Sequence, residues 1–141
     1  MRVEDHQPLA KACARGPFLP LYIVEPGLWQ QPDMGYRHYV FLRACLLEFD
    51  DTLRTLGQPL VIKTGRVCDV LADLKLKYQF KELFSHQETW NAWTYQRDKA
   101  VKKWCRDNHV IWHESVQNGV VRCLKDRGGW AKSWYKTMSQ P

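Results

Sequence analysis

The sequence has no long apolar run, no paired-cysteine spacing and no glycine-rich phosphate loop. Each lack excludes something. Without a stretch of roughly 18 apolar residues there is no candidate membrane helix. The amino end, MRVEDHQPLAKACARG, has acids where a signal peptide needs an apolar core, so a cytoplasmic location is expected. The five cysteines (Cys13, Cys45, Cys68, Cys105, Cys123) are odd in number and never stand as CxxC. That argues against a disulfide framework or a zinc site and predicts buried or half-buried free thiols. GxGxxG, P-loop, GxSxG and HExxH patterns are all missing. The nearest glycine-rich piece, Asp126-Arg127-Gly128-Gly129, follows no strand pattern and lacks phosphate-loop spacing. There is no internal repeat and no low-complexity segment.

What is there fits a single soluble domain. The chain has 141 residues, 45% hydrophobic and 26% charged, enough to build a core. Its net charge of +6 is unevenly placed. Residues 1–70 carry eight basic and eight acidic side chains, and residues 71–141 carry thirteen and seven. Such asymmetry can signal a phosphate-rich partner, but the basic residues form no run, and a solvated lysine face explains them more simply. Direct DNA binding is not expected on this pattern.

Helical and strand patterns alternate along the chain. Residues 8–15 (PLAKACAR) read as a short helix with Asp5 or His6 near its cap and Gly16 beyond its end. Residues 19–26 (LPLYIVEP) are a compact apolar run closed by proline, hence a buried strand. GLWQQPDMG reads as a loop. Leu42, Leu46, Phe49, Leu53 and Leu56 recur at helical spacing between Tyr36 and Gly57. Residues 59–63 give a second strand, and Val67, Val70, Leu71, Leu74 and Tyr78 mark a helix. Residues 82–85 give a third strand. A helix follows over 92–107, with Trp93, Ala100, Val101, Trp104 and Cys105 able to face one way. Residues 110–113 give a fourth strand, and residues 117 onward read as irregular or as a linker. Strands that are continuous apolar runs, separated by helices, predict a three-layer, Rossmann-like α/β fold with a parallel sheet covered on both faces. Ligands in such folds sit beyond the carboxyl ends of the strands.

The stretch SHQETWNAWTYQRDKAVKKW, residues 85–104, begins at one such end. His86, Glu88 and Asn91 could form an acid–base cluster, though no nucleophile or metal partner stands beside them in sequence. The plain alternative is a polar loop opening a helix, with Thr89 or Asn91 as the N-cap. Trp93 and Trp104 are expected to pack on the sheet, whereas Trp90, within the loop, is harder to bury.

Taken in order, several segments resemble the N-terminal α/β domain of the DNA photolyase and cryptochrome family. They are Arg2-Val3-Glu4-Asp5-His6 with Pro8-Leu9; Leu21-Tyr22-Ile23-Val24-Glu25-Pro26; Arg37-His38-Tyr39-Val40-Phe41-Leu42; Leu56-Gly57-Gln58-Pro59-Leu60; Asn91-Ala92-Trp93-Thr94-Tyr95-Gln96-Arg97-Asp98; and Gly119-Val120-Val121-Arg122. The resemblance implies a photolyase-like α/β domain over residues 1–116 and the start of an interdomain linker over 117–141. It implies a light-harvesting role, with an antenna chromophore (a deazaflavin, a flavin or a folate) held by this domain and Arg37, Glu88 and Asn91 as its contacts. The family's catalytic FAD belongs to a helical domain that follows, so FAD and unaided DNA repair are not expected of this chain. That helical domain, as a separate chain, or a second copy of this chain is the partner implied. The competing reading is a vestigial fragment or a protein-interaction module with no chromophore.

Two departures from the family pattern carry expectations. Folate-binding members have a glutamate where Thr94 stands, and close relatives tend to have glycine where Trp90 stands. The family pattern also begins with a strand that this sequence does not show, and that strand lies centrally, between the strands at residues 19–24 and 83–84. Those two strands are then expected to close up and pair, or to admit another segment or a second copy, or to leave the protein poorly folded.

Overall fold

The computed structural model describes residues 3–122, 124 and 126–139. Helix α1 (Gln7–Arg15) leads into strand β1 (Leu21–Val24), the one-turn α2 (Pro26–Trp29) and the long α3 (Tyr36–Thr55). Then come β2 (Val61–Thr64), α4 (Val67–Tyr78), β3 (Glu82–His86), α5 (Ala92–Asp107), β4 (Ile111–Ser115) and α6 (Trp130–Met138). The four expected strands are present, as are the helices between them. Two elements differ from expectation. GLWQQPDMG holds α2, because Pro26 sits at a helix start where its missing N–H is no loss. The segment after residue 116 is not wholly irregular, since WAKSWYKTM forms α6.

The ends of the helices follow local chemistry. His6, through Nδ1, accepts the Leu9 N–H at 3.1 Å and caps α1, settling the choice between Asp5 and His6. Asn91 rather than Thr89 caps α5. Its Oδ1 accepts the Thr94 N–H at 2.9 Å, and Thr94 Oγ1 accepts the Asn91 N–H at 3.1 Å. Gly57, at φ +89°, takes the left-handed conformation that stops α3.

β1 pairs with β2 in parallel, Leu21 opposite Val61 through Val24 opposite Thr64. β3 pairs with β4 in parallel, Glu82 opposite Ile111 through His86 opposite Ser115. The two pairs do not join: among the described residues the strands form two separate two-stranded sheets. β1 and β3, which the family order sets beside the central strand, have therefore not closed up on one another.

Helix packing and side-chain contacts, rather than a shared backbone ladder, hold the halves in one body. On one side, Leu71, Val101, Cys105 and Val110 form a buried cluster that receives Leu21 from β1 as well as Leu83 and Trp112 from β3 and β4. On the other, Leu46, Leu53 and Leu60 are buried together and receive Tyr22 from β1 and Leu9 from α1. α1 meanwhile lies on β3 and β4, where Lys11 donates to Ser115 Oγ of β4 at 3.0 Å and Arg15 reaches Glu82 of β3 at 3.7 Å. The result is the expected three-layer arrangement, with α1 and α3 on one face and α4 and α5 on the other.

Some individual expectations fail. Leu56 and Tyr78 are exposed, at helix ends where the apolar stripe runs past the core. Ala100 also faces solvent, so the buried stripe of α5 is Thr94, Val101 and Cys105 with Trp104 at its margin. Cys13 is exposed, Cys45 and Cys68 are half-buried and Cys105 is buried, all as free thiols. Cys123 lies outside the described residues. No helix among the described residues is long and apolar enough to cross a membrane.

Candidate functional site

The carboxyl ends of β1, β3 and β4 converge on a network of charged side chains. Glu25 follows β1 directly and is buried, 7% exposed. One of its carboxylate oxygens accepts the Val67 N–H at 3.3 Å, at the positive end of α4, and the other accepts from Arg97 Nη1 at 3.2 Å. Arg97 and Asp98 stand side by side on α5, and Arg97 donates from Nε and Nη2 to Asp98 Oδ1 at 3.2 and 2.9 Å. Arg122 then joins Asp98 Oδ2 at 2.9 Å, Glu114 Oε1 of β4 at 2.7 Å and the Glu88 carbonyl from Nε at 2.8 Å. Glu88 Oε2 lies 3.8 Å from Arg97. Glu25 and two guanidiniums thus tie three strand ends, the first turn of α4, the second turn of α5 and the segment after β4 into one structure.

Burial sets the electrostatics. It pushes the Glu25 carboxyl above its ordinary range, although the Arg97 guanidinium and the Val67 N–H pull the other way. For Arg97, burial opposes the charge, but the hydrogen bonds and charges of Asp98 and Glu25 outweigh it and raise its pKa further. Nearby in β1, the Tyr22 phenol is raised by burial and then by the charge of Glu25.

Beside this network lies an open cleft of about 250 Å³, lined by Glu88, Thr89, Trp90, Asn91, Thr94, Tyr95, Val120 and Arg122. Trp90 is 54% exposed and Tyr95 53%, so two aromatic side chains present themselves at the cleft. Its polar groups are largely engaged. Glu88 Oε1 accepts the N–H groups of Thr89 and Trp90 at 2.8 and 3.1 Å. Asn91 Nδ2 donates to Asp33 Oδ2 at 2.9 Å, bringing the loop before α3 against the start of α5. Asn118 donates to Thr89 Oγ1 at 3.3 Å.

Of the residues singled out from sequence, Glu88 and Asn91 meet in this cleft. Arg37 does not line it and stands exposed on the first turn of α3. His86 points elsewhere, its ring set edge-on to His6 with centroids 4.7 Å apart, so the three-residue acid–base cluster does not assemble. Trp93 packs on Gly27, where an added Cβ would lie 3.1 Å from its ring, and Trp104 stacks near Phe80 at 6.2 Å. The sequence reading missed the Glu25–Arg97–Asp98–Arg122–Glu114 network. The signal was there: an acid placed immediately after a buried apolar run stands at a strand's carboxyl end, where an Arg-Asp pair in the second turn of a nearby helix can reach it.

A three-layer parallel α/β body with a polar cleft at its strand ends defines the class to which this chain conforms. Within that class it belongs to the DNA photolyase family, whose model matches residues 1–135. A curated relative, "Cryptochrome DASH, chloroplastic/mitochondrial" of Arabidopsis thaliana, is 29% identical over 96 residues. That match covers 63% of this chain and 17% of the relative. Among solved structures, an archaeal photolyase from Sulfolobus tokodaii, described with two FAD molecules and an implied novel light-harvesting cofactor, superposes with a TM-score of 0.76 at 20% identity. It covers 96% of this chain and 32% of that protein. The chain therefore spans a minor part of both, and the likeness to the archaeal structure is one of fold.

Proposed function

We propose that this chain is a light-harvesting domain that binds a flat aromatic antenna chromophore, with a flavin-type ring as the first candidate. The observation that carries the reading is the cleft at residues 88–95, where Trp90 and Tyr95 flank a polar rim beyond the end of β3. Aromatic side chains can stack on a conjugated ring, and the rim can hydrogen-bond its edge. The volume of about 250 Å³ falls just below the roughly 300–1,000 Å³ of drug-sized pockets. It suits the ring rather than a whole dinucleotide. Glu88 and Asn91 serve here first as a brace: their hydrogen bonds fix the turn that holds Trp90 and the start of α5. Arg37, on the exposed turn of α3, is available to an anionic tail that extends out of the cleft.

The archaeal photolyase described with two FAD molecules supports a flavin over a folate, and Thr94, where folate-binding relatives carry glutamate, agrees. In this reading the chain gathers light and leaves repair chemistry to another domain. The test is an absorption spectrum of the purified protein from the near-ultraviolet to the blue, followed by titration with flavin mononucleotide. Saturable quenching of tryptophan fluorescence, lost in Trp90→Ala and weakened in Tyr95→Ala, is expected. No binding of flavin mononucleotide or of a folate would favour the chromophore-free interaction module. Light-dependent dimer repair by the chain alone would refute the division of labour.

A further inference from the structure

α3 carries apolar side chains on two faces. Leu42, Leu46, Phe49 and Leu53 turn inward to the core. A surface helix ordinarily presents charged and polar residues on the face opposite its core stripe. On α3 that face holds Val40, Phe41 and Leu47, with Tyr36 at its edge. All four are exposed, Phe41 by 72% and Leu47 by 52%. At about 3.6 residues per turn, Arg37, Val40, Phe41, Ala44, Leu47 and Asp51 lie along one outward stripe. Each of these six is exposed. From Arg37 to Asp51 the stripe runs about 21 Å, at about 1.5 Å per residue.

The charges along α3 are sorted. Its amino-terminal half has Arg37 and Arg43 and no acid, and the acids Glu48, Asp50 and Asp51 follow. An isolated helix is stabilised by acids at its start and bases at its end. α3 has no acid in its first turn and Arg37 there instead, so the sorting does not serve the helix itself. Nor does most of it serve the fold. Asp50 is engaged within the chain, by Arg54 at 2.8 Å and by the Leu60 N–H at 2.8 Å. Arg37, Arg43, Glu48 and Asp51 make no ion pair with any other described residue.

We propose that the outward face of α3 packs on the same face of a second copy of this chain, antiparallel about a two-fold axis at Ala44. In such an interface residues equally far from the axis face one another, once on each side. Arg37 then meets the partner's Asp51, and Phe41 meets the partner's Leu47. Ala44 meets the partner's Ala44, and side chains this small let the helices approach to about 8 Å, the near end of the usual range. Glu48 lies over the partner's Val40, its methylenes on the isopropyl group and its carboxylate between the partner's Arg37 and the partner's Arg43. Parallel packing is ruled out by the same charges, since it would set Arg37 on the partner's Arg37 and Asp51 on the partner's Asp51. With one helix from each copy, the contact falls below the roughly 1,200 Å² of stable interfaces, so the dimer is a weak one that forms with concentration. Of the residues in the chromophore reading it uses only Arg37, and it needs no ligand.

The test is sedimentation equilibrium of the ligand-free chain from about 1 to 500 μM, at low salt and at about 0.5 M. The mean mass should climb from one chain towards two, less steeply at the higher salt. Phe41→Asp and Ala44→Glu should each hold the chain as a monomer. Arg37→Asp and Asp51→Arg should each weaken association by at least about tenfold, because two-fold symmetry turns one reversal into two like-charge contacts. The double variant, Arg37→Asp with Asp51→Arg, restores both pairs and should return to within about threefold of the parent. All these side chains are exposed, so the fold should survive each change. A monomer throughout, a dimer indifferent to Phe41→Asp, or a double variant no better than the single ones would overturn the proposal.

Discussion

Glu25 is the residue on which most depends. Burial raises its carboxyl above the ordinary 4.5, so between pH 4.5 and the raised value the folded chain holds a proton that the unfolded chain has released. The stability this contributes is complete below pH 4.5 and is lost as pH climbs through the raised value. Glu25→Gln cannot titrate, and its thermal midpoint should vary less over that window than the parent's. Glu25→Ala should be worse than Glu25→Gln, by about 1–3 kcal/mol in urea unfolding, because it removes one of Arg97's carboxylate partners, leaving Asp98, and takes the acceptor from the Val67 N–H. Asn91→Ala removes the α5 cap and should cost about 1 kcal/mol. Asn91→Ser should recover much of that, whereas equal losses would point to the Asp33 contact instead.

Among the elements, the strands and the core-facing helices were legible in the sequence because each is a run or a period long enough to declare itself. α5 could be read from residue 92 to residue 107, since Asn91 and Thr94 mark its start and Val101 and Cys105 its inner face. α6 could not. Its Trp130, Trp134 and Tyr135 stand among glycines and lysines, and its only signal, the spacing of the aromatics, is short. The charged network was illegible for a different reason: Glu25 and Arg122 are far apart in sequence, and only the layer packing brings them to one place. α6 is docked by a close approach, for a Cβ on Gly119 would lie 2.0 Å from Trp134 Cδ1. Gly119→Ala should therefore displace Trp134, seen as a red shift in tryptophan emission and faster proteolysis near residues 124–134. Urea unfolding of the strand core should hardly change. If α6 stays protected in Gly119→Ala, the contact is not what docks it.

For the whole molecule, two clusters share one body without sharing a sheet. Leu53→Ala and Leu71→Ala remove side chains that are each 2% exposed, and each should cost about 2–5 kcal/mol. Their hydrogen-exchange signatures should differ, since Leu53→Ala should loosen the amides of α3 and β2 first and Leu71→Ala those of α4 and β4. Uniform loosening in both variants would mean a single cooperative unit. The split sheet also bears on how the chain reaches its native state. Each strand pair is closed by the connection between its own two members, so neither needs the other half in place before it can nucleate. Topology of that kind favours quick early steps, with the slow search deferred to the meeting of two preformed units. α1 touches both halves, through Leu9 and Lys11, and so records that meeting: substitutions in α1 should slow the late refolding step, whereas substitutions confined to one strand pair should act mainly on unfolding.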